Sequence, residues 1–226
     1  MTQRSLEQIP LADGSSLPLS VAVPESSVRG GILVGPGAQG VTDGVWRLAA
    51  GLAGEGWLAV IPHLYHRDGV DELPADDDVV RQHVERLTAD SLRADTGAAL
   101  QWLASRGVTA DRIGVVGFGL GGAVALIVAT QCDLGAAVTI GGIGVVQPLA
   151  ATFPALVDIA PELRCPWLGI YGQDGGVSED DVDKLRDAAH SARIATDLVH
   201  CQFSTDQCVA PEAWGRTLNW FDCHLR

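Results

Sequence analysis

Residues 112–126 read RIGVVGFGLGGAVAL. The β-branched residues Ile113, Val115 and Val116 favour a strand, and the run Ala123-Val124-Ala125-Leu126 is suited to a buried helix. Between them, Gly117-Phe118-Gly119-Leu120-Gly121-Gly122 makes the crossing from one to the other. Segments of the form G-x-nucleophile-x-G hold Ser or Cys at the apex of such a turn, where the attacking atom stands exposed. Gly119 occupies that apex. The frame of an acyl-transfer site is present without its attacking atom. Glycine has a structural reason to be there, because the apex conformation costs a residue with a side chain about 1–3 kcal/mol.

Outward from this segment, short apolar runs alternate with helical patterns. The spacing predicts strands at 17–23 (an early edge strand), 31–34, 57–61, 112–116, 134–140, 167–171 and 194–199. It predicts helices over 45–55, 76–106 (with Gly97 as a candidate interruption), 121–130, 179–190 and 211–225. Ser178 is a plausible N-cap, and Trp214, Leu218, Phe221 and Leu225 share one face of the last helix. Strands alternating with helices imply an α/β fold, a mostly parallel central sheet with helices on both faces. Sites in such sheets lie at the carboxyl ends of the strands.

Composition narrows the rest. With 226 residues, 47% hydrophobic and 19% charged, the chain reads as one globular domain over 1–226. A net charge of −13 argues against nucleic acid as a partner. No apolar run reaches the roughly 20 residues of a membrane span. The polar start MTQRSLEQIPLADG lacks a signal-peptide core, so the expected location is cytoplasmic. The five cysteines show no C-x-x-C spacing and read as free thiols. The acidic runs 76–78 and 179–181 suit helix N-termini.

Two segments match G-x-G-x-x-G: Gly35 through Gly40, and Gly117 through Gly122. A dinucleotide site further requires an acidic residue near the end of the next strand. Those strands end Val60-Ile61-Pro62-His63 and Val138-Thr139-Ile140-Gly141, without a carboxylate. Nucleotide binding is therefore the minor alternative, and no cofactor is expected.

From about Arg29 to the C-terminus, four segments together resemble the dienelactone hydrolase (carboxymethylenebutenolidase) family of α/β-hydrolases. They are Leu64-Tyr65-His66-Arg67, the elbow Gly117 to Gly122, the loop Gly172-Gln173-Asp174-Gly175-Gly176-Val177, and the helix Trp214 to Phe221. The resemblance implies a Cys-His-Asp triad, in which a thiolate attacks a lactone or ester carbonyl. Asp174 takes the acid position. Gly119 takes the nucleophile position, and Cys201, in Cys201-Gln202-Phe203, takes the position of the His. His200 is adjacent, although a one-residue shift along a strand redirects a side chain. Gly37 stands where the family places a Glu. The resemblance also implies an oxyanion hole from the N–H groups of Leu120 and Ala38, and a ligand-carboxylate role for Arg67. Thr205 replaces a second family arginine.

Each of these residues also has a plainer reading. Asp174 serves equally as a turn residue, Cys201 as a small buried hydrophobe, and Arg67 as the ion-pair partner of Asp68 or Asp71. His63, His66, His200 and Cys201 lack metal-ligand spacing, so no metal is expected. The functional expectation is a non-catalytic or weakly active binder of a small acyl or carboxylate ligand. The alternative is an active ester or lactone hydrolase using His200, His63 or Cys201.

Overall fold

The structure is a computed structural model, and it describes residues 3–172, 176–201 and 210–225. Eight strands form one sheet: β1 (Gln3–Pro10), β2 (Ser16–Val23), β3 (Gly30–Gly35), β4 (Trp57–Pro62), β5 (Ile113–Phe118), β6 (Ala136–Ile140), β7 (Trp167–Gly172) and β8 (Thr196–Cys201). Their spatial order is β1-β2-β4-β3-β5-β6-β7-β8. From β4 to β8 the pairing is parallel, and β1 and β2 are antiparallel additions at one edge. Parallel strands need crossovers, and helices supply them. The helices are α1 (Asp43–Gly54), α2 (Asp77–Arg86), α3 (Ala89–Ser105), α4 (Leu120–Gln131), the short α5 (Leu156–Ile159), α6 (Glu179–His190) and α7 (Pro211–His224).

Two hydrophobic clusters cover the two faces. Leu48 and Leu52 of α1 pack with Ala213 and Phe221 of α7 on one face. Leu103 of α3, Leu126 of α4 and Leu185 of α6 pack on the other. Phe221 meets Trp57 edge-on, with ring centroids 6.4 Å apart, a geometry worth about 0.5–1.5 kcal/mol beyond the area buried. The acidic runs do stand at helix N-termini: Asp76 caps α2, accepting from the N–H groups of Asp78 and Val79, and residues 179–181 form the first turn of α6, which Ser178 caps by accepting from the Asp181 N–H. No helix among the described residues is long and apolar enough to cross a membrane.

Three expectations need correction. The strand at 17–23 is not the edge. β1 lies outside it, joined through a turn in which Asp13 accepts from the Ser15 N–H at 2.9 Å. β1 escapes a hydrophobicity reading because its residues are mostly exposed and backbone bonds hold it. The stretch 76–106 is two helices. Leu87 and Thr88 are extended, and Thr88 and Ser91 cap each other's backbone N–H groups to restart the helix at α3. Gly97 interrupts nothing; it lies within α3.

Candidate active site

The carboxyl ends of β3 to β8 line one edge of the sheet, and β5 delivers Gly119 there. Gly119 has φ +52° and ψ −112°, a region that disfavours any side chain. The expected strand-to-helix turn is therefore present. It is close-packed because glycines let the backbones touch. A Cβ on Gly35 would lie 2.7 Å from the Gly121 carbonyl oxygen, and one on Gly121 would lie 2.8 Å from that of Pro36. A Cβ on Gly119, in contrast, would meet no described residue within 4 Å, and the same holds at Gly37.

Backbone bonds hold this turn rigidly. The Gly119 N–H donates to Ile140 O at 3.0 Å, and Gly119 O accepts from the N–H groups of Ala123 and Ile143. The Ala123 bond is the first of α4, so the N–H groups of Leu120, Gly121 and Gly122 precede it as helix donors with no partner among the described residues. The loop carrying Ala38 is fastened by the loop after β4. Tyr65 Oη donates to Ala38 O at 2.7 Å, the Leu73 N–H to Gln39 O, and the Val41 N–H to Asp71 O. Within that loop the N–H donors in use are those of Gly40, Val41 and Thr42, not that of Ala38. Ala38 and Leu120 thus lie at the ends of adjacent strands with N–H groups that have no hydrogen-bond partner among the described residues.

Of the positions expected to carry the triad, Gly119, His200 and Cys201 lie among the described residues. Asp174 lies outside the described residues, as do Gln202, Phe203 and Thr205. His200 and Cys201, the last two residues of β8, turn to opposite faces. His200 Nε2 lies 3.7 Å from Asp183 of α6. Cys201 is buried in the α7-side cluster, where its thiol meets Glu212 and Arg216. Burial first, and then the Glu212 carboxylate, push this thiol above its ordinary pKa, which suppresses the thiolate.

Arg67 departs from its expected ion pairing. Its guanidinium is bidentate to Asp95 of α3, at 2.8 and 2.9 Å, with Asp13 at 3.5 Å, rather than paired with Asp68 or Asp71. Asp95 is only 1% exposed and also faces His66 Nε2 at 3.3 Å. A buried carboxylate requires such partners, and that requirement claims the arginine fork. Asp68 pairs instead with His83 and Arg86, each at 3.9 Å. Asp95 was legible only as the acid in the Leu92, Thr96, Ala99 and Leu103 stripe of α3.

His63 is also engaged. Its Nδ1 lies 2.7 Å from Asp71 Oδ1, and its Nε2 lies 2.8 Å from Ser20 Oγ of β2. Nothing in the sequence pairs Ser20 with His63, 43 positions away. Their contact exists only because β2 lies antiparallel beside β4. His63, His66 and His200 thus serve three separate contacts.

A family model for the dienelactone hydrolase family matches residues 18–225. The chain belongs to the dienelactone hydrolase family. A Salmonella typhimurium relative named "Putative carboxymethylenebutenolidase" is 30% identical over 229 residues, covering 94% of this chain and 79% of the relative. The crystal structure titled as a putative dienelactone hydrolase from Klebsiella pneumoniae superposes with a TM-score of 0.87. It shares 27% identity and covers 98% of this chain and 99% of that one. The acylaminoacyl peptidase of Pyrococcus horikoshii shares the fold alone, with a TM-score of 0.75 and 13% identity over 99% of this chain and 42% of its own. The architecture is accordingly the α/β-hydrolase fold, and this dienelactone hydrolase family member carries glycine at its elbow apex.

Proposed function

We propose that the elbow cleft of this family member binds a small acyl or carboxylate ligand without forming an acyl-enzyme there. The single observation that carries this reading is Gly119. The apex keeps its turn geometry, has no described residue within 4 Å of a Cβ placed on it, and offers no attacking atom. The N–H groups of Leu120 and Ala38, which have no partner among the described residues, together with the positive end of the α4 dipole, suit a carbonyl or carboxylate oxygen. Cys201 is a poor replacement for the nucleophile, because it is buried in the α7-side cluster and burial, with Glu212, disfavours its thiolate. The net charge of −13 favours a small molecule over nucleic acid.

The test is incubation with p-nitrophenyl acetate followed by intact-mass and peptide analysis, alongside calorimetric titration with acetate and butyrate. The expected outcome is saturable binding and no acyl adduct on residues 113–131 or on Cys201. Gly119→Ala places a methyl at the apex and is expected to weaken binding at least tenfold. An adduct on Cys201, or binding unchanged by Gly119→Ala, would overturn the reading.

A further inference from the structure

A second constellation lies at the other end of the sheet edge. Asp71 Oδ1, His63 Nδ1, His63 Nε2 and Ser20 Oγ stand in line, with separations of 2.7 and 2.8 Å across the two contacts. A carboxylate only accepts hydrogen bonds, so Nδ1 carries the ring proton and donates to Asp71. Nε2 then offers its lone pair to the Ser20 hydroxyl. This is the order of nucleophile, base and orienting acid, with the hydroxyl proton already directed at the base.

Each member is fixed by backbone. Ser20 is registered against Ile61 in the β2–β4 ladder. The His63 N–H donates to Pro18 O at 3.1 Å. Asp71 O accepts from the Val41 N–H at 2.9 Å. A relay that only satisfied a buried histidine would need no space in front of its serine, yet here the space exists. A cavity of about 370 Å³ is lined by Arg4, Leu6, Ser20, Trp46, His63 and Asp71. Ser20 and His63 are 3% and 5% exposed and form part of its wall. β1 contributes Leu6, which pairs with Ser20 across the strands, and Arg4, which pairs with Ala22. The Arg4 guanidinium lies 3.7 Å over the Trp46 ring and has no carboxylate partner among the described residues. A second cavity of about 280 Å³ adjoins through Arg4 and Trp46.

We propose that Ser20, His63 and Asp71 form a nucleophilic hydrolytic site for small carboxylic esters in this edge cleft, separate from the elbow. The Ser20 Oγ adds to the ester carbonyl carbon while His63 Nε2 takes the hydroxyl proton. The ladder claims the neighbouring strand N–H groups, so the Arg4 guanidinium supplies the positive charge beside the developing oxyanion. The bond from the carbonyl carbon to the alkoxy oxygen breaks, and His63 returns the proton to the departing alcohol. Water then adds to the acyl-serine as His63 takes its proton. The bond to Ser20 Oγ breaks, the proton goes back to Ser20, and the carboxylic acid leaves. Ester and water are the only reactants. The apolar surfaces of Leu6 and Trp46 and the volume of the cleft suit a short acyl chain.

The probe is a fluorophosphonate, which phosphonylates an activated serine with loss of fluoride, followed by tryptic mapping of Ser5–Arg29 and fragment localisation. The expected result is one adduct on Ser20, absent in Ser20→Ala. The labelling rate should fall about a hundredfold or more in His63→Gln. It should fall similarly in Asp71→Asn, whose mostly exposed side chain makes it the variant safest for folding. p-Nitrophenyl acetate hydrolysis should fall in parallel, with Arg4→Gln lowering kcat more than it raises KM. Folded wild type that takes no label, label retained in Ser20→Ala, or an undiminished rate in Asp71→Asn would each overturn the proposal. The labelled peptide distinguishes this site from the elbow, so each reading fails separately.

Discussion

At the elbow, backbone makes the site. N–H donors, a helix terminus and a glycine crossing are held by main-chain bonds, and the apex has no side chain. At the edge cleft, side chains make the site. Ser20, His63 and Asp71 are hydrogen-bonded in line, but the surrounding strand amides belong to the ladder. The difference teaches that a fold's reactive frame and a reactive side-chain line are separable. A family member can keep the first without a nucleophile and carry the second elsewhere on the same sheet.

The sharpest way to break the comparison is at the glycine crossing. Gly121→Ala drives a Cβ against the Gly35 and Pro36 backbone, which has nowhere to move. Urea denaturation should show at least about 4 kcal/mol lost, or no folding at all. Gly119→Ala, two residues away, meets no described residue within 4 Å and should cost only about 1–3 kcal/mol of backbone strain. Equal losses would mean that the elbow is looser than its contacts indicate.

Arg67 sharpens the other half, because the loop it holds also carries Asp71. Arg67→Met leaves Asp95 buried with only His66 beside it. The expected loss lies toward the lower end of about 3–5 kcal/mol, since His66 remains. A double variant with Asp95→Leu should recover part of it. If Arg67→Met leaves stability intact and abolishes ligand binding at the elbow, the arginine reads a ligand after all.

The smallest expected effect is none. Gly119→Cys combined with Cys201→His supplies both missing triad residue types, but position 201 points toward α7. Ester turnover should stay at the level of Gly119→Cys alone, compared by kcat/KM on one activated ester. A rise above that level would place position 201 within reach of the elbow.

The elbow was legible because its signal is local: a β-branched strand, G-F-G-L-G-G and an apolar helix are contiguous. Most strands and helices were legible for the same reason, since burial leaves a period in the sequence. β1 was not, because an edge strand held by backbone bonds leaves no hydrophobic alternation. The break at Leu87–Thr88 was not, because a Thr-Ser capping pair is a weak signal within a long helical pattern. The partner of Arg67 was misjudged because nearby acids in sequence, Asp68 and Asp71, hid a buried acid 28 positions away.

The sequence by itself determined most of the parallel strands, the family and the glycine at the elbow apex, because each rests on residue type at fixed short spacing. The tertiary structure alone decided which face His200 and Cys201 present, where Arg67 is bound, and that Ser20 meets His63. These depend on strand order and on the desolvation of particular polar groups. Such groups take partners wherever the fold brings them, at separations that no local pattern records.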